Sequence, residues 1–176
     1  MPPSSSQPAP QTGDNTAATF RAAMRQLAGA VSVITIGRGE DCTGFTATSV
    51  ASLSADVPSV LVSLNRSSSS WPVLQRHGAF CINVLAAGQQ HVAEAFAGRD
   101  GRQGAARYEG ALWQPLATGT AGLAGALAVI DCSLKEAIGH ASHMILIGHV
   151  EAIRLGTAQE DPLLYWQGGF RRLHGA

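Results

Sequence analysis

LAVIDCSLKEAIGHASHMILIGHVEAI, residues 127–153, holds two long apolar runs, 127–138 and 144–153, separated by Gly139-His140-Ala141-Ser142. Runs of that length on either side of a small polar break predict two adjacent antiparallel strands of a central sheet. Upstream, Val31-Ser32-Val33-Ile34-Thr35-Ile36 is β-branched and ends at Gly37-Arg38-Gly39, and the segment from Cys42 to Thr48 follows closely, so the two predict a β-hairpin. Val60-Leu61-Val62-Ser63-Leu64, after the turn at Asp56-Val57-Pro58, and Phe80-Cys81-Ile82-Asn83-Val84-Leu85 predict two more strands. Helical patterns do not alternate with these strands in βαβ order. A mainly β, antiparallel barrel with a few covering helices is therefore expected over a doubly wound fold.

The helical signals are few. Phe20, Ala23, Met24 and Leu27 recur at helical spacing and predict an opening amphipathic helix that Gly29 can end. Between the strands at 60–64 and 80–85, Ser70 is expected to cap a short helix opened by Trp71 and Pro72 and closed by Gly78. Residues 89–97, with Val92, Ala95 and Phe96 on one side, predict another. The polar, Gly-rich segment 99–110 is expected to be a loop, as is the Gly119, Gly122, Gly125 run. Residues 1–15, rich in Pro, Ser and Gln, have the composition of a flexible tail, leaving residues 16–176 as one domain.

Composition narrows the function classes. The 176 residues carry 12 basic and 12 acidic side chains and no basic stripe, which argues against nucleic acid as a partner. Charged residues are only 14% of the chain against 45% apolar, a balance that points to a subunit interface. Cys42, Cys81 and Cys132 are far apart in apolar surroundings and read as buried free thiols of a reducing compartment. With neither a secretory leader nor a run long enough to cross a bilayer, the expected location is the cytoplasm, away from membranes.

Two segments carry candidate binding chemistry. Thr43-Gly44-Phe45-Thr46-Ala47-Thr48-Ser49 joins small hydroxyl side chains to a glycine, which suits a planar ring lying against backbone; it also fits a Thr-rich edge strand facing water. Asn65-Arg66-Ser67-Ser68-Ser69-Ser70 offers a guanidinium, four hydroxyls and a helix start, either a phosphate cradle or a solvated turn. His140, His143 and His149 do not fit one metal ion, because 143 and 149 lie about 20 Å apart along a straight strand. His143 reads as a hydrogen-bonded histidine at a strand start or as a functional one. No G-x-G-x-x-G or G-x-x-x-x-G-K-[ST] signature and no nucleophile–base pattern is present.

In shared order, these blocks resemble the short-chain NAD(P)H:flavin oxidoreductases, the flavin reductase-like family that supplies reduced flavin to two-component monooxygenases. The resemblance runs from about Phe20 to Leu173. It is carried by Phe20-Arg21, the strand at 31–35, Gly44-Phe45-Thr46-Ala47-Thr48-Ser49-Val50-Ala51-Ser52-Leu53-Ser54, the strands at 60–65 and 80–85, His143 to Ala152, and Pro162-Leu163-Leu164-Tyr165-Trp166. It implies a homodimeric FMN-binding split β-barrel with FMN or FAD near the subunit interface and NADH or NADPH as hydride donor. It implies further that Thr46, Ala47, Thr48 and Ser49 contact the isoalloxazine, Ser63 and Asn65 its edge and ribityl chain, and Ser67, Ser68, Ser69 and Ser70 the phosphate, with Ile82 and Asn83 close behind. His143 matches the histidine of the family's Gly-Asp-His motif, which serves the nicotinamide cofactor; here the motif reads Ala141-Ser142-His143.

The lack of an acid–base constellation agrees with such chemistry, because the flavin carries the reaction and the protein orients it. Backbone N–H groups around Thr48 and Ser49 are expected to stabilise negative charge on the reduced ring. The competing readings are a non-catalytic flavin- or haem-binding split-barrel carrier or sensor, and an oxidase of the pyridoxamine-phosphate type. The latter needs a denser basic phosphate site than Arg66 and its serines offer.

Overall fold

The computed structural model describes residues 16–157 and 160–173; the expected N-terminal tail, 1–15, lies outside them. After the two-residue β1 (Gly29–Ala30), β2 (Ser32–Arg38) and β3 (Asp41–Ala47) form the expected hairpin, β5 (Ser59–Asn65) and β6 (Ala79–Val84) the next two expected strands. The opening stretch becomes β9 (Ala128–His140) and β10 (His143–Leu155), each 13 residues long. Their turn is shorter than the sequence suggests. His140 pairs with His143, so only Ala141 and Ser142 lie between, with Ala141 at φ 47°.

An unexpected strand, β4 (Val50–Ser54), completes a seven-stranded antiparallel sheet of order β3-β2-β6-β9-β10-β5-β4. Its two edges, β3 and β4, are consecutive in the chain and joined by Thr48 and Ser49 alone. Seven flat strands at about 4.8 Å spacing would put those edges about 29 Å apart. The three Cα steps from Ala47 to Val50 reach at most about 11 Å. The sheet must therefore curl until its edges approach, which makes it a barrel split along one seam. Register shifts between Ile147 and Gly148 and between Val150 and Ala152 place β-bulges in the longest pair, where they bend and twist the sheet.

Two cores result. Ile34, Ile36, Val62, Leu64, Phe80, Ile82, Cys132 and Leu146 fill the barrel. On the outside of β2, β6 and β9, a second core joins Val33, Cys81, Leu85 and Val129 to Val92, Ala93, Ala95 and Phe96 of α3 (Gln90–Phe96). These strands are thus apolar on both faces because both faces are covered. Asn83, fully buried in β6, donates from Nδ2 to the Val33 carbonyl (3.0 Å) and accepts at Oδ1 from the Leu123 N–H (2.7 Å). It thereby anchors the small arm of β7 (Trp113–Pro115) and β8 (Ala121–Leu123). The glycine run placed in a loop thus contains a strand: Gly122 lies in β8, where a Cβ would come within 2.6 Å of Leu116 and Val129. Cys81 and Cys132 are buried free thiols, as expected; burial raises both, Cys132 to about 12, and Cys42 is only half-buried.

Around β10 the covering stops. Met144 and Leu146 face the barrel, whereas Ile145 and its cross-strand neighbour Ile138 remain 38% and 43% exposed on the outside. α1 (Thr16–Met24) departs similarly. The helix forms, but none of its residues is buried, and Phe20, Met24 and Leu27 stay exposed. It is held through the hairpin of β11 (Leu164–Trp166) and β12 (Gly169–Arg171), where Trp166 Nε1 donates to the Gln26 carbonyl (3.2 Å) and the Gln167 N–H to the Arg25 carbonyl (3.2 Å).

Candidate active site at the barrel seam

Where β3 gives way to β4, Thr48 and Ser49 belong to no strand, and among the described residues their amides make no hydrogen bond to another backbone group. Two exposed, unpaired N–H groups in succession are a place for an electronegative edge. Ser49 is fixed across the seam side of β5: its Oγ accepts from the Ser63 N–H (3.3 Å) and donates to the Ser63 carbonyl (3.4 Å). Ser63 and Asn65 lie two residues apart on the outer face, about 7 Å along the strand. Asn65 pairs directly with His143 of β10.

The turn after β5 is self-wound. Asn65 Oδ1 accepts from both the N–H and the Oγ of Ser67 (2.9 Å each), the Ser68 N–H returns to the Asn65 carbonyl, and Ser68 Oγ accepts from the Ser70 N–H. The Arg66 N–H donates to the Ser142 carbonyl (2.9 Å), tying this turn to the β9–β10 turn, and the Arg66 guanidinium has no ion-pair partner among the described residues. α2 (Ser70–His77) begins here, with Ser69 at its N-cap position. The capping role expected of Ser70 is not found: Ser70 is fully buried, its Oγ donating to the Gly44 carbonyl, because β3 needs a partner where it meets the helix. Gly78 does close the helix, in the left-handed conformation at φ 62°.

The structure therefore gathers Thr48, Ser49, Ser63, Asn65, Ser67 and His143 along one accessible line, with Ser68 and Ser69 at its end. Thr46 and Ala47 lie beside it, although the Thr46 hydroxyl is committed to the Ala93 carbonyl of α3 (2.6 Å). Ser70, Ile82 and Asn83 do not join the line. Ile82 belongs to the barrel core and Asn83 spends its amide on backbone, so both are wholly enclosed. β3 is the edge strand that its threonines allowed, yet Thr43 is buried and Thr46 turns inward.

Sequence reasoning missed the opposite wall of the seam. A cavity of about 190 Å³ runs from Thr46, Ala47 and Thr48 to Arg99, Tyr165 and Phe170. The Arg99 guanidinium stands 5.9 Å over the Phe170 ring, and its Nη2 donates to the Tyr165 hydroxyl (3.4 Å). Arg99 sat in a segment legible only as loop, and nothing in its spacing pairs it with residue 170. At the other end, Ser142 Oγ lies 2.9 Å from His143 Nδ1. A hydroxyl that donates to Nδ1 leaves Nε2–H free to point outward.

These residues meet the demands of a flavin nucleotide: paired N–H groups and small side chains for the ring, hydroxyl and amide groups for a ribityl chain, and a free guanidinium with hydroxyls for a phosphate. The flavin reductase-like domain model matches residues 24–174. The chain belongs to the flavin reductase-like family. As a flavin reductase, it is 38% identical over 158 residues to the FMN reductase (NADH) RutF of Klebsiella pneumoniae, covering 89% of this chain and 93% of that one. It is 43% identical over 149 residues to FMN reductase (NADH) RutF 2 of Methylorubrum extorquens, 85% of each chain. Among solved structures, BorF, the flavin reductase component of a bacterial two-component tryptophan halogenase, superposes with a TM-score of 0.82 at 32% identity, over 91% of this chain and 99% of that one. No helix among the described residues of this flavin reductase is long and apolar enough to cross a membrane.

Proposed function

We propose that this flavin reductase oxidises NADH to reduce FMN and releases the reduced flavin to a partner monooxygenase. The free amide pair at the seam carries this reading; the names of its relatives supply the donor and the flavin. When bound, the flavin accepts hydride at N5 from the nicotinamide and passes the electrons on. The protein's part is to hold and orient. The amides of Thr48 and Ser49 face the ring's electronegative edge, in a setting where pre-aimed donors favour the more negative reduced form. Ser63 and Asn65 take the ribityl hydroxyls, and Arg66, Ser67, Ser68 and Ser69 take the phosphate at the start of α2. His143 presents Nε2–H to the nicotinamide carboxamide, with Ser142 fixing the ring.

The bare outer face of β9 and β10 supports a homodimer, since a second copy would cover Ile138 and Ile145 and bring its own surface against Asn65 and His143. Sedimentation should give twice the 18.2 kDa chain mass; a monomer at micromolar concentration would remove the dimer. The free buried thiols support a cytoplasmic setting, which a fluorescent fusion would check.

The activity test is oxidation of NADH and NADPH with and without FMN or FAD. Flavin-dependent loss of NADH absorbance, fastest with FMN, is expected. No turnover with any pair, despite bound flavin, would replace the reductase with a carrier or sensor. His143→Ala should raise the NADH Michaelis constant about 3- to 10-fold, the scale of one lost hydrogen bond; unchanged kinetics would remove His143 from the site.

A further inference from the structure

An amphipathic surface helix ordinarily lays its apolar side on the body of its domain. α1 does not: Phe20 is 61% exposed, Leu27 just past the helix is 64% exposed, and a cavity of about 370 Å³ separates the helix from the β11–β12 hairpin. The helix is propped at this distance by the bonds from Trp166 and Gln167, the latter in the left-handed region at φ 50°. Arg21 in α1 and Arg25 just past its end, whose N–H donates to the Arg21 carbonyl (3.1 Å) and so continues the helical turn, both line the cleft, and neither has an ion-pair partner among the described residues. Phe20 and Trp166 supply aromatic walls. Thr48 and Tyr165 border both this cleft and the seam cavity, so the two adjoin.

We propose that this cleft receives the adenylate half of the dinucleotide donor, with Arg21 and Arg25 on its phosphates and the purine between aromatic side chains. The inference rests on the reading of the chain as an NADH-oxidising flavin reductase. Two unpaired guanidiniums beside aromatic rings match a purine nucleotide in both charge and shape. A volume of about 370 Å³ is at the small end of ligand pockets, about 300–1,000 Å³, and suits one nucleotide rather than a whole dinucleotide. The other half then extends past Thr48 toward the seam.

The test compares NADH with reduced nicotinamide mononucleotide, which lacks the adenylate half, in the full-length protein and an Arg21→Ala/Arg25→Ala variant. Because α1 buries nothing, the variant is expected to fold. Its Michaelis constant for NADH should rise about tenfold, as for loss of charge-assisted phosphate contacts, while that for the mononucleotide changes less than about twofold. ADP-ribose should bind the wild type by calorimetry and bind the variant at least about tenfold more weakly, with Arg21→Lys/Arg25→Lys recovering part of the loss. An unchanged constant for NADH, an equal rise for both donors, or ADP-ribose binding that ignores the arginines would overturn the adenylate site. Failure of the wild type to oxidise either donor would count against the reductase reading instead, and the ADP-ribose arm would still decide the cleft.

Discussion

Gly44→Ala should lower the melting temperature of this flavin reductase by about 6–12 °C and weaken flavin binding with it. A Cβ at Gly44 would stand 2.3 Å from the Ile34 carbonyl oxygen and 2.7 Å from the Phe96 ring. The first contact is with backbone of the paired strand, so no rotamer change relieves it, and β3 must move away from β2 or from α3. Overpacking of this kind costs typically 1–3 kcal/mol, and a backbone clash belongs at the upper end, about 3 kcal/mol. For a domain of this size each kcal/mol is worth about 2–4 °C. The Gly44 carbonyl also accepts from Ser70 Oγ and from Arg107 Nη1, so displacing the strand disturbs the base of α2 and the junction at Thr48 together. Gly88, around which a Cβ meets nothing within 4 Å, supplies the control: Gly88→Ala should leave both melting and flavin affinity nearly unchanged. A Gly44→Ala protein that melts like wild type would mean that β3 is not gripped as described.

Arg66→Ala should raise the dissociation constant for FMN about 10- to 100-fold and leave that for riboflavin within about twofold. Hydrogen bonds to a charged group are worth about 1.5–3 kcal/mol, and each 1.4 kcal/mol is a factor of ten. The Arg66 side chain has no ion pair among the described residues to lose, and its backbone bond to Ser142 survives truncation, so the fold should not respond. The riboflavin arm isolates the phosphate. An equal loss for both ligands would indicate disturbance of the turn, and no loss for FMN would move the phosphate elsewhere.

Much of this fold is legible in the sequence because its central strands are buried on both faces. Runs such as residues 31–36 and 80–85 have no polar alternation to confuse, and their β-branched residues leave little doubt of strand. β4 escaped because Val50-Ala51-Ser52-Leu53-Ser54 is an edge strand of small, exposed residues with no period to read. α1 was legible as a helix but not as one that keeps its apolar side off the body, since periodicity records which side is apolar and not what covers it. At the site, the residues exposed along β5 and the seam were recognisable in order. Ile82 and Asn83 lie in a strand of the same apolar pattern but are enclosed, Ile82 by the barrel core and Asn83 by its bonds to β2 and β8, partners that lie far away in the chain. Arg99 and Phe170 meet only in three dimensions.

The two-residue bridge between the sheet's edges has an energetic corollary. Between the edges each strand has a neighbour on both sides to satisfy its backbone; at residues 48 and 49 that duty falls to solvent or to whatever occupies the seam. A ligand gripping both rims acts as a removable staple, and by mass action it adds about 2.7 kcal/mol to the folded state at a hundredfold excess over its dissociation constant. An enzyme that surrenders its reduced flavin therefore loosens its own barrel with each departure. Loading and rigidity would rise and fall in step through the catalytic cycle.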